Sequence, residues 1–359
     1  MKKRMIFLIV LASQCAFAQQ NQIAKFFPAA AVPSGGAANV QGLVAGFIRP
    51  IGEDFGALAN NGWYSTAENH KKWGFDLQVT MNTIFANSDT KTFPTPALNT
   101  LTYLGTTSGS TAPAPTAYGA ETEIPRYRFD AGLNSPLQFI GPGGGNISKD
   151  VPVGSLVVPT ITGGIGLFAN TDIRFRYTPN VKFGDTELKN WGVGIMHDIK
   201  QHIPGIKMAP FSLSLLLAYS QLTATTNLGG LYGTSVSSPT SYSGQEGIGE
   251  TKGYTAQILV SKSLSVITFY AGIGYNSSTT TYDITGSYYV DKASIGGGAT
   301  VPLLAPVTLT NPFHQDFTVS GFRATGGIRF KLGPILLNGD YTSLTGKGML
   351  TAGFGFTVH

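Results

Sequence analysis

From Trp73 to its end, the chain repeatedly alternates apolar and polar residues over stretches too long for ordinary globular strands. Between 73 and 85 the odd positions carry Trp73, Phe75, Leu77, Val79, Met81, Thr83 and Phe85, and the even ones include Asp76, Gln78, Thr80 and Asn82. A period of two belongs to strands, whose side chains point alternately to opposite faces. The pattern recurs at 167–177, where Ile173, Phe175 and Tyr177 oppose Asp172, Arg174 and Arg176. It returns at 189–199, with Trp191, Val193 and Ile195 against Asn190 and Asp198, and at 211–219, where Leu216 alone breaks the parity. Further candidates lie at 253–262, 265–275 and 280–290, and Pro159 weakens one at 155–165.

The C-terminal stretch carries the pattern furthest. Residues 318–332 set Phe322, Ile328, Phe330 and Leu332 against Arg323, Arg329 and Lys331, Gly333-Pro334 makes a tight turn, and 335–343 return. The last segment places Leu350, Ala352, Phe354, Phe356 and Val358 on one face, before the terminal His359. Such an amphipathic, aromatic last strand is what outer-membrane barrel assembly machinery recognises, although many barrels end in an aromatic residue.

Strands of 11–13 residues are long for a soluble β-sandwich. Their polar faces are rich in small residues and glycine. Only 12% of residues are charged, about half the usual share, while the chain holds 46 glycines. Both observations favour a surface that meets something other than water. No stretch after residue 18 approaches the roughly 20 apolar residues of a spanning helix. A membrane chain without such helices must pair its backbone between strands in a closed wall. The expected fold is all-β, a transmembrane antiparallel β-barrel of about 12–14 strands with an N-terminal plug segment.

The N-terminus reads as an export signal. Lys2, Lys3 and Arg4 precede an apolar run from Met5 to Ala12, and Ala16-Phe17-Ala18 supplies a small-x-small cleavage pattern. Cys15, the only cysteine, allows a lipoprotein alternative, but Gln14 occupies the position where lipid processing wants a small residue. Three of the 24 Lys and Arg lie in the signal, leaving 21 against 19 acidic residues, so the basic balance is mostly an export feature. No basic stripe interleaved with aromatics points to nucleic acid.

The expected organisation is therefore a signal peptide at 1–18, a leader and plug at 19–71, and a barrel at 72–359, placed in the outer membrane of a Gram-negative bacterium. Within the plug, Phe55, Asn60, Asn61, Gly62 and Trp63 belong to a stretch too apolar to leave in water. Four Gly/Pro/Ser/Thr-rich stretches, 87–122, 133–153, 226–252 and 291–316, fit long outer loops. Alternating strand directions set 226–252 on the wrong side, unless 300–310 hides a strand or 265–290 is divided wrongly.

The runs GEDFGALANNGWYSTAENHKKWGFDL at 52–77 and WGVGIMHDIKQHIPGIKMAPFSLSL at 191–215 resemble an uncharacterised family of outer-membrane β-barrels from Bacteroidetes-type bacteria. A plug followed by a barrel of about 14 strands is similar, more remotely, to the long-chain fatty-acid transporter (FadL-type) class. There an Asn-Pro-Ala stretch is typical of the plug, where this chain has Asn60-Asn61-Gly62.

The resemblance implies a plugged channel for hydrophobic or small amphiphilic compounds. Its expected partners are outer-membrane lipids, the barrel assembly machinery and a hydrophobic small molecule. Such a channel needs cations to hold an anionic head, and Arg174, Arg176, Arg323 and Arg329 lie on polar faces, with Asp340 diagonal to Arg329 across a hairpin. The bland alternative is that these charges brace the interior, in a barrel that is structural or contacts partners at its surface, for instance through the 87–122 loop. No enzyme, cofactor or metal is expected. No histidine pair has metal-ligand spacing, and Gly141-Pro142-Gly143-Gly144-Gly145 lacks the Lys-Ser/Thr of a phosphate loop.

Overall fold

Backbone polar groups of a strand find partners only across to neighbours, so long alternating segments are stable in lipid when the first and last strands also meet. The computed structural model describes residues 23–32, 35–85, 87–95, 101–129, 136–145, 156–183, 186–229, 244–296 and 299–358. The signal segment 1–18 and most of the 133–153 stretch lie outside them.

A short 3-10 turn at Ala24–Ala31 precedes one long helix, α1 (Gly36–Leu58). The strands follow as β1 (Phe75–Ile84), β2 (Thr92–Phe93), β3 (Leu101–Thr106), β4 (Ala114–Pro115), β5 (Pro125–Phe129) and β6 (Leu137–Ile140). Next come β7 (Leu156–Gly166), β8 (Thr171–Phe183), β9 (Thr186–Asp198), β10 (Ser212–Asn227), β11 (Glu246–Leu264) and β12 (Ile267–Thr285). The chain finishes with β13 (Ser287–Gly296), β14 (Ala299–Thr310), β15 (Phe313–Leu332), β16 (Ile335–Leu344) and β17 (Lys347–Val358).

Ten of these strands close an antiparallel barrel in the order β1-β17-β16-β15-β12-β11-β10-β9-β8-β7. Strand β1 seals it, pairing Phe75 with Val358 of β17 on one side and with Ile165 of β7 on the other. The wall is a transmembrane barrel of ten strands, fewer than the 12–14 that periodicity suggested. Most of 265–275 and the first half of 280–290 are one 19-residue strand, β12, and residues 287–290 open β13 instead. Residues 299–310 do form a strand, but β14 pairs with β13 in a separate hairpin, and β12 pairs directly with β15. The alternation continues past the membrane into the loops, so periodicity alone does not mark where the wall ends. With this division the connection after β10 falls at the same end as the other long ones.

The two ends differ. At the turn end, 167–170, Ser265-Val266 and Gly333-Pro334 join strands tightly, and a 3-10 turn at Lys200–His202 forms part of the remaining connection. The loop end carries the chain between β1 and β7 and the β13–β14 hairpin. Pro159 sits where β7 pairs only with β1, opposite Met81, because the β7–β8 ladder stops at Ile161–Tyr177. A missing N–H there costs no ladder bond.

Parity sorts the side chains as the sequence indicates. Val79, Phe175, Val193, Phe269, Ile328, Leu337 and Phe354 are exposed on the outer surface, while Gln78, Arg174, Arg176, Asn190, Gln257, Arg323 and Asn338 are buried inside. Tyr177, Trp191, Tyr219, Tyr254, Tyr275, Phe322 and Tyr341 form an outward collar, with Trp73 and Phe168 at the turn end. From Tyr254 to Leu264, eleven residues of tilted strand rise about 25 Å, the height of a barrel's apolar band. Among the described residues no helix is long and apolar enough to cross a membrane. Leu216, the exception to the parity, points inward and packs with Trp63, Tyr64, Met196 and Leu259.

Candidate functional site: the filled lumen

The inward faces line a lumen that the chain fills with its own N-terminal segment. The segment enters at the loop end, descends as α1, and leaves at the turn end, where Trp73 N donates to Gly166 O at 2.8 Å. Small residues let α1 lie close to the wall. A Cβ at Gly52 would stand 2.5 Å from the Phe317 ring, and one at Gly56 would stand 3.0 Å from Ser278 Oγ.

Above the wall the loops form a folded cap. The β3-β5-β6 sheet and the β13–β14 hairpin close on the 3-10 turn, with Phe26 against Tyr127 at 6.2 Å and Phe27 against Tyr288 at 5.1 Å between ring centroids. Thr106 and Ser108 donate hydrogen bonds to Glu123, at 2.6 and 2.9 Å, and these hold its carboxyl below its ordinary pKa. Between α1 and residues 89–94 lies a cleft of about 560 Å³, lined by Ala45, Gly46, Arg49, Glu53, Asp89 and Phe93 among others.

Down the lumen, polar groups fasten the plug at successive levels. Lys347 Nζ donates to Asp54 at 2.8 Å and stands 3.3 Å from Glu53, and Tyr118 of the cap donates to Asp54 at 2.8 Å. Ser278 donates to Gly56 O at 2.7 Å, Asn60 to Asn276 at 2.8 Å, and Asn61 to Thr351 at 2.8 Å. Below them Tyr64 donates to Gln257 at 3.0 Å, and Thr66 Oγ1 lies 3.1 Å from Ser261 Oγ.

The arginines occupy the middle. Arg176 donates to the carbonyls of Ala59 and Asn61 just past the end of α1, and its guanidinium lies over the Trp63 ring at 4.4 Å. A cation at a helix C-terminus meets the negative end of the helix dipole and its unpaired carbonyls. Arg323 donates to Asn61 Oδ1, and Arg174 Nε to Trp63 O at 2.9 Å. Lower still, Arg174 pairs with Asp76 at 3.3 Å, and His70 Nδ1 meets Asp172 at 2.7 Å while its Nε2 stands 3.4 Å from Asp76.

These positions sort the predicted site residues. Arg174, Arg176 and Arg323 donate to the plug's own backbone or side chains, the kind of contact that the bracing alternative describes. Asn60, Asn61 and Trp63 are their partners, and Phe55 packs in the upper lumen beside Leu58. Gly62 has φ +74°, and a Cβ there would stand 2.6 Å from Asn82 Oδ1. The expected Arg329–Asp340 ion pair does not form. Register sets Arg329 opposite Asn338, and Asp340 instead accepts from Tyr270 OH at 2.9 Å. Arg329 has no hydrogen-bond partner among the described residues.

Sequence reasoning passed over His70, Asp76, Asp54 and Lys347. Parity puts Asp76 and Asp172 on the same inward face level as Arg174, a signal that was legible. The plug residues that meet them carry no period, and their depth in the lumen is a tertiary fact.

The translocator domain of the autotransporter NalP from Neisseria meningitidis is similar in architecture, at 10% identity over 92% of this chain and 99% of that one, with a TM-score of 0.30. The toluene transporter TbuX of Ralstonia pickettii matches at 7% identity over 84% and 93%, TM-score 0.23. Ail, the attachment invasion locus protein of Yersinia pestis, matches at 7% identity over 80% and 100%, TM-score 0.26. Likeness at this level carries no functional argument. No curated protein matches the chain in sequence. A family model matches residues 1–358, and the chain belongs to that family, a family of unknown function (DUF6588).

Proposed function

We propose that this protein is an outer-membrane barrel, loops facing outward and turns in the periplasm, that serves as a closed, plugged platform for surface contacts. The observation that carries this reading is the continuous fastening of α1 and residues 59–73 to the wall, from Lys347 at the loop end to Asp172 at the turn end. An open pore keeps a polar, water-filled lumen. Here that volume holds protein, and above it the loops build a cap with its own aromatic core. The cleft beside Arg49 and Phe93 opens in this cap, where a partner or small ligand would meet it. The apolar belt contacts outer-membrane lipids, and β17 is the strand offered to the assembly machinery.

One observation favours a second reading, a plugged passage for hydrophobic or small amphiphilic compounds. The plug–wall contact is polar and imperfectly satisfied: Asn60 Oδ1, Asn276 Nδ2, Arg176 Nε and Arg323 Nη1 are buried without partners. A polar interface with open valences admits water more readily than an apolar one. The resemblance to fatty-acid transporters supports the same reading, although the wall has ten strands where that class implies about 14.

A disulfide separates the two. A Cβ built on Gly56 lies 3.7 Å from the Ser278 Cβ, within the span of a disulfide, so Gly56→Cys with Ser278→Cys locks the plug to the wall. In proteoliposomes, solute flux that is equally low with the lock oxidised or reduced supports the platform. Flux that appears on reduction and vanishes on oxidation refutes it in favour of the passage.

A further inference from the structure

We infer that the periplasmic mouth of the lumen holds an oxyanion-binding site built on Arg329 and Lys331, and that its ligand carries a phosphate group. The four inward arginines of the wall are not alike. Arg174, Arg176 and Arg323 each donate to the plug. Arg329 lies on the same inward face of β15 as Arg323, three pairs closer to the turn end, and is only 8% exposed. Its guanidinium forms no hydrogen bond and no ion pair with any described residue, and its Nε is buried without a partner. A guanidinium this buried is costly to hold without acceptors, and its geometry suits two oxygens of one anion.

Lys331 follows on the same face, one step nearer the mouth and half-buried, and its ammonium group forms no hydrogen bond or ion pair with any described residue. Two residues along a strand set the two cations about 6.6 Å apart at the backbone, close enough for both side chains to converge on one ligand group. A phosphate presents oxygens in several directions and up to two negative charges, so it can engage both cations. A carboxylate satisfies the guanidinium alone.

Opposite Arg329 on β16 stands Asn338, whose Oδ1 is buried without a donor. It offers an acceptor to a protonated phosphate oxygen or a neighbouring hydroxyl. The charged groups that act on Arg329 from the surrounding elements are Glu68 of the plug, Asp76 of β1 and Arg174 of β8. Neither carboxylate reaches ion-pair distance of it, so its donors are left for a ligand. On the mouth side of Arg329 stand Lys331, half-buried, and Glu68, exposed.

The test is calorimetric titration of the full chain in a zwitterionic detergent with three probes: inorganic phosphate, decyl phosphate and decanoate. Saturable binding of inorganic phosphate, weakened at least tenfold by Arg329→Gln and several-fold by Lys331→Gln, supports a site for free phosphate. Binding of decyl phosphate alone, with the same dependence on both variants, supports the site and identifies an amphiphile as its ligand. Decanoate bound as tightly as decyl phosphate overturns the assignment to phosphate. Absence of saturable binding by all three, or binding unchanged in both variants, overturns the site. Retention of the folded barrel's faster gel migration before heating verifies that each variant has folded, and the partly exposed Lys331 keeps the test decisive should Arg329→Gln fail to fold.

Discussion

Arg176 finishes a helix that lacks a capping side chain of its own. Its two N–H groups meet the carbonyls of Ala59 and Asn61, and its plane covers Trp63. Arg176→Met keeps much of the stacking volume and leaves both carbonyls without that donor, at a cost of about 2–4 kcal/mol. Urea unfolding in detergent, followed by circular dichroism, measures it; an unchanged midpoint removes the capping role. Gly62 answers a different demand, a positive φ beside Asn82. Gly62→Ala combines backbone strain with a clash and is expected to cost about 1–3 kcal/mol in the same assay. At the turn end, Asp172 accepts from both the backbone N and the ring of His70. Asp172→Asn should therefore speed amide exchange in residues 65–72 while leaving α1 protected, and unchanged exchange in both would show that this contact does not hold the plug.

Elements explain what residues do not. Strand β12 is apolar on its outer face up to Tyr275 and becomes a run of Ser and Thr from Ser277 to Thr281, so a single strand crosses the membrane and continues into the cap. The β13–β14 hairpin rises from the wall at Gly286 and rejoins it at Asn311, whose N donates to Gly286 O at 2.8 Å. Replacing 287–310 by a two-residue link should leave a closed wall, because β12 and β15 already pair from Ile267–Phe330 to Ile284–Phe313. The cap should suffer instead, since Phe27 loses Tyr288. The expected outcome is normal heat-modifiable migration with faster proteolysis at 24–32, whereas loss of the folded band would mean that the hairpin supports the barrel itself.

At the scale of the whole molecule, the path of the chain is the main consequence. The described N-terminal end, Ile23, lies in the loop-end cap, and Val358 lies at the turn end beside Phe75. The segment between Ile23 and β1 therefore threads the barrel from one mouth to the other, and the wall closes around it. An epitope inserted directly ahead of Ile23 should be labelled by antibody on intact cells, and one placed after Val358 only after the outer membrane is permeabilised. The reverse pattern would invert the orientation on which both mouths are assigned.

The sequence by itself determined the wall. Period-two alternation over strands too long for a sandwich, few charges and no spanning helix leave a closed barrel as the arrangement that satisfies the backbone in lipid, and parity alone told which side chains face lipid. It also put Arg174, Arg176, Arg323 and Arg329 inside. Only the tertiary structure decided the strand count, because Ser- and Thr-rich strand outside the membrane keeps the same period as strand within it. Only it separated three arginines bound to the plug from one that is not, because the depth at which Asn61, Trp63 and His70 meet the wall is set by packing of an aperiodic segment, for which local sequence carries no ruler.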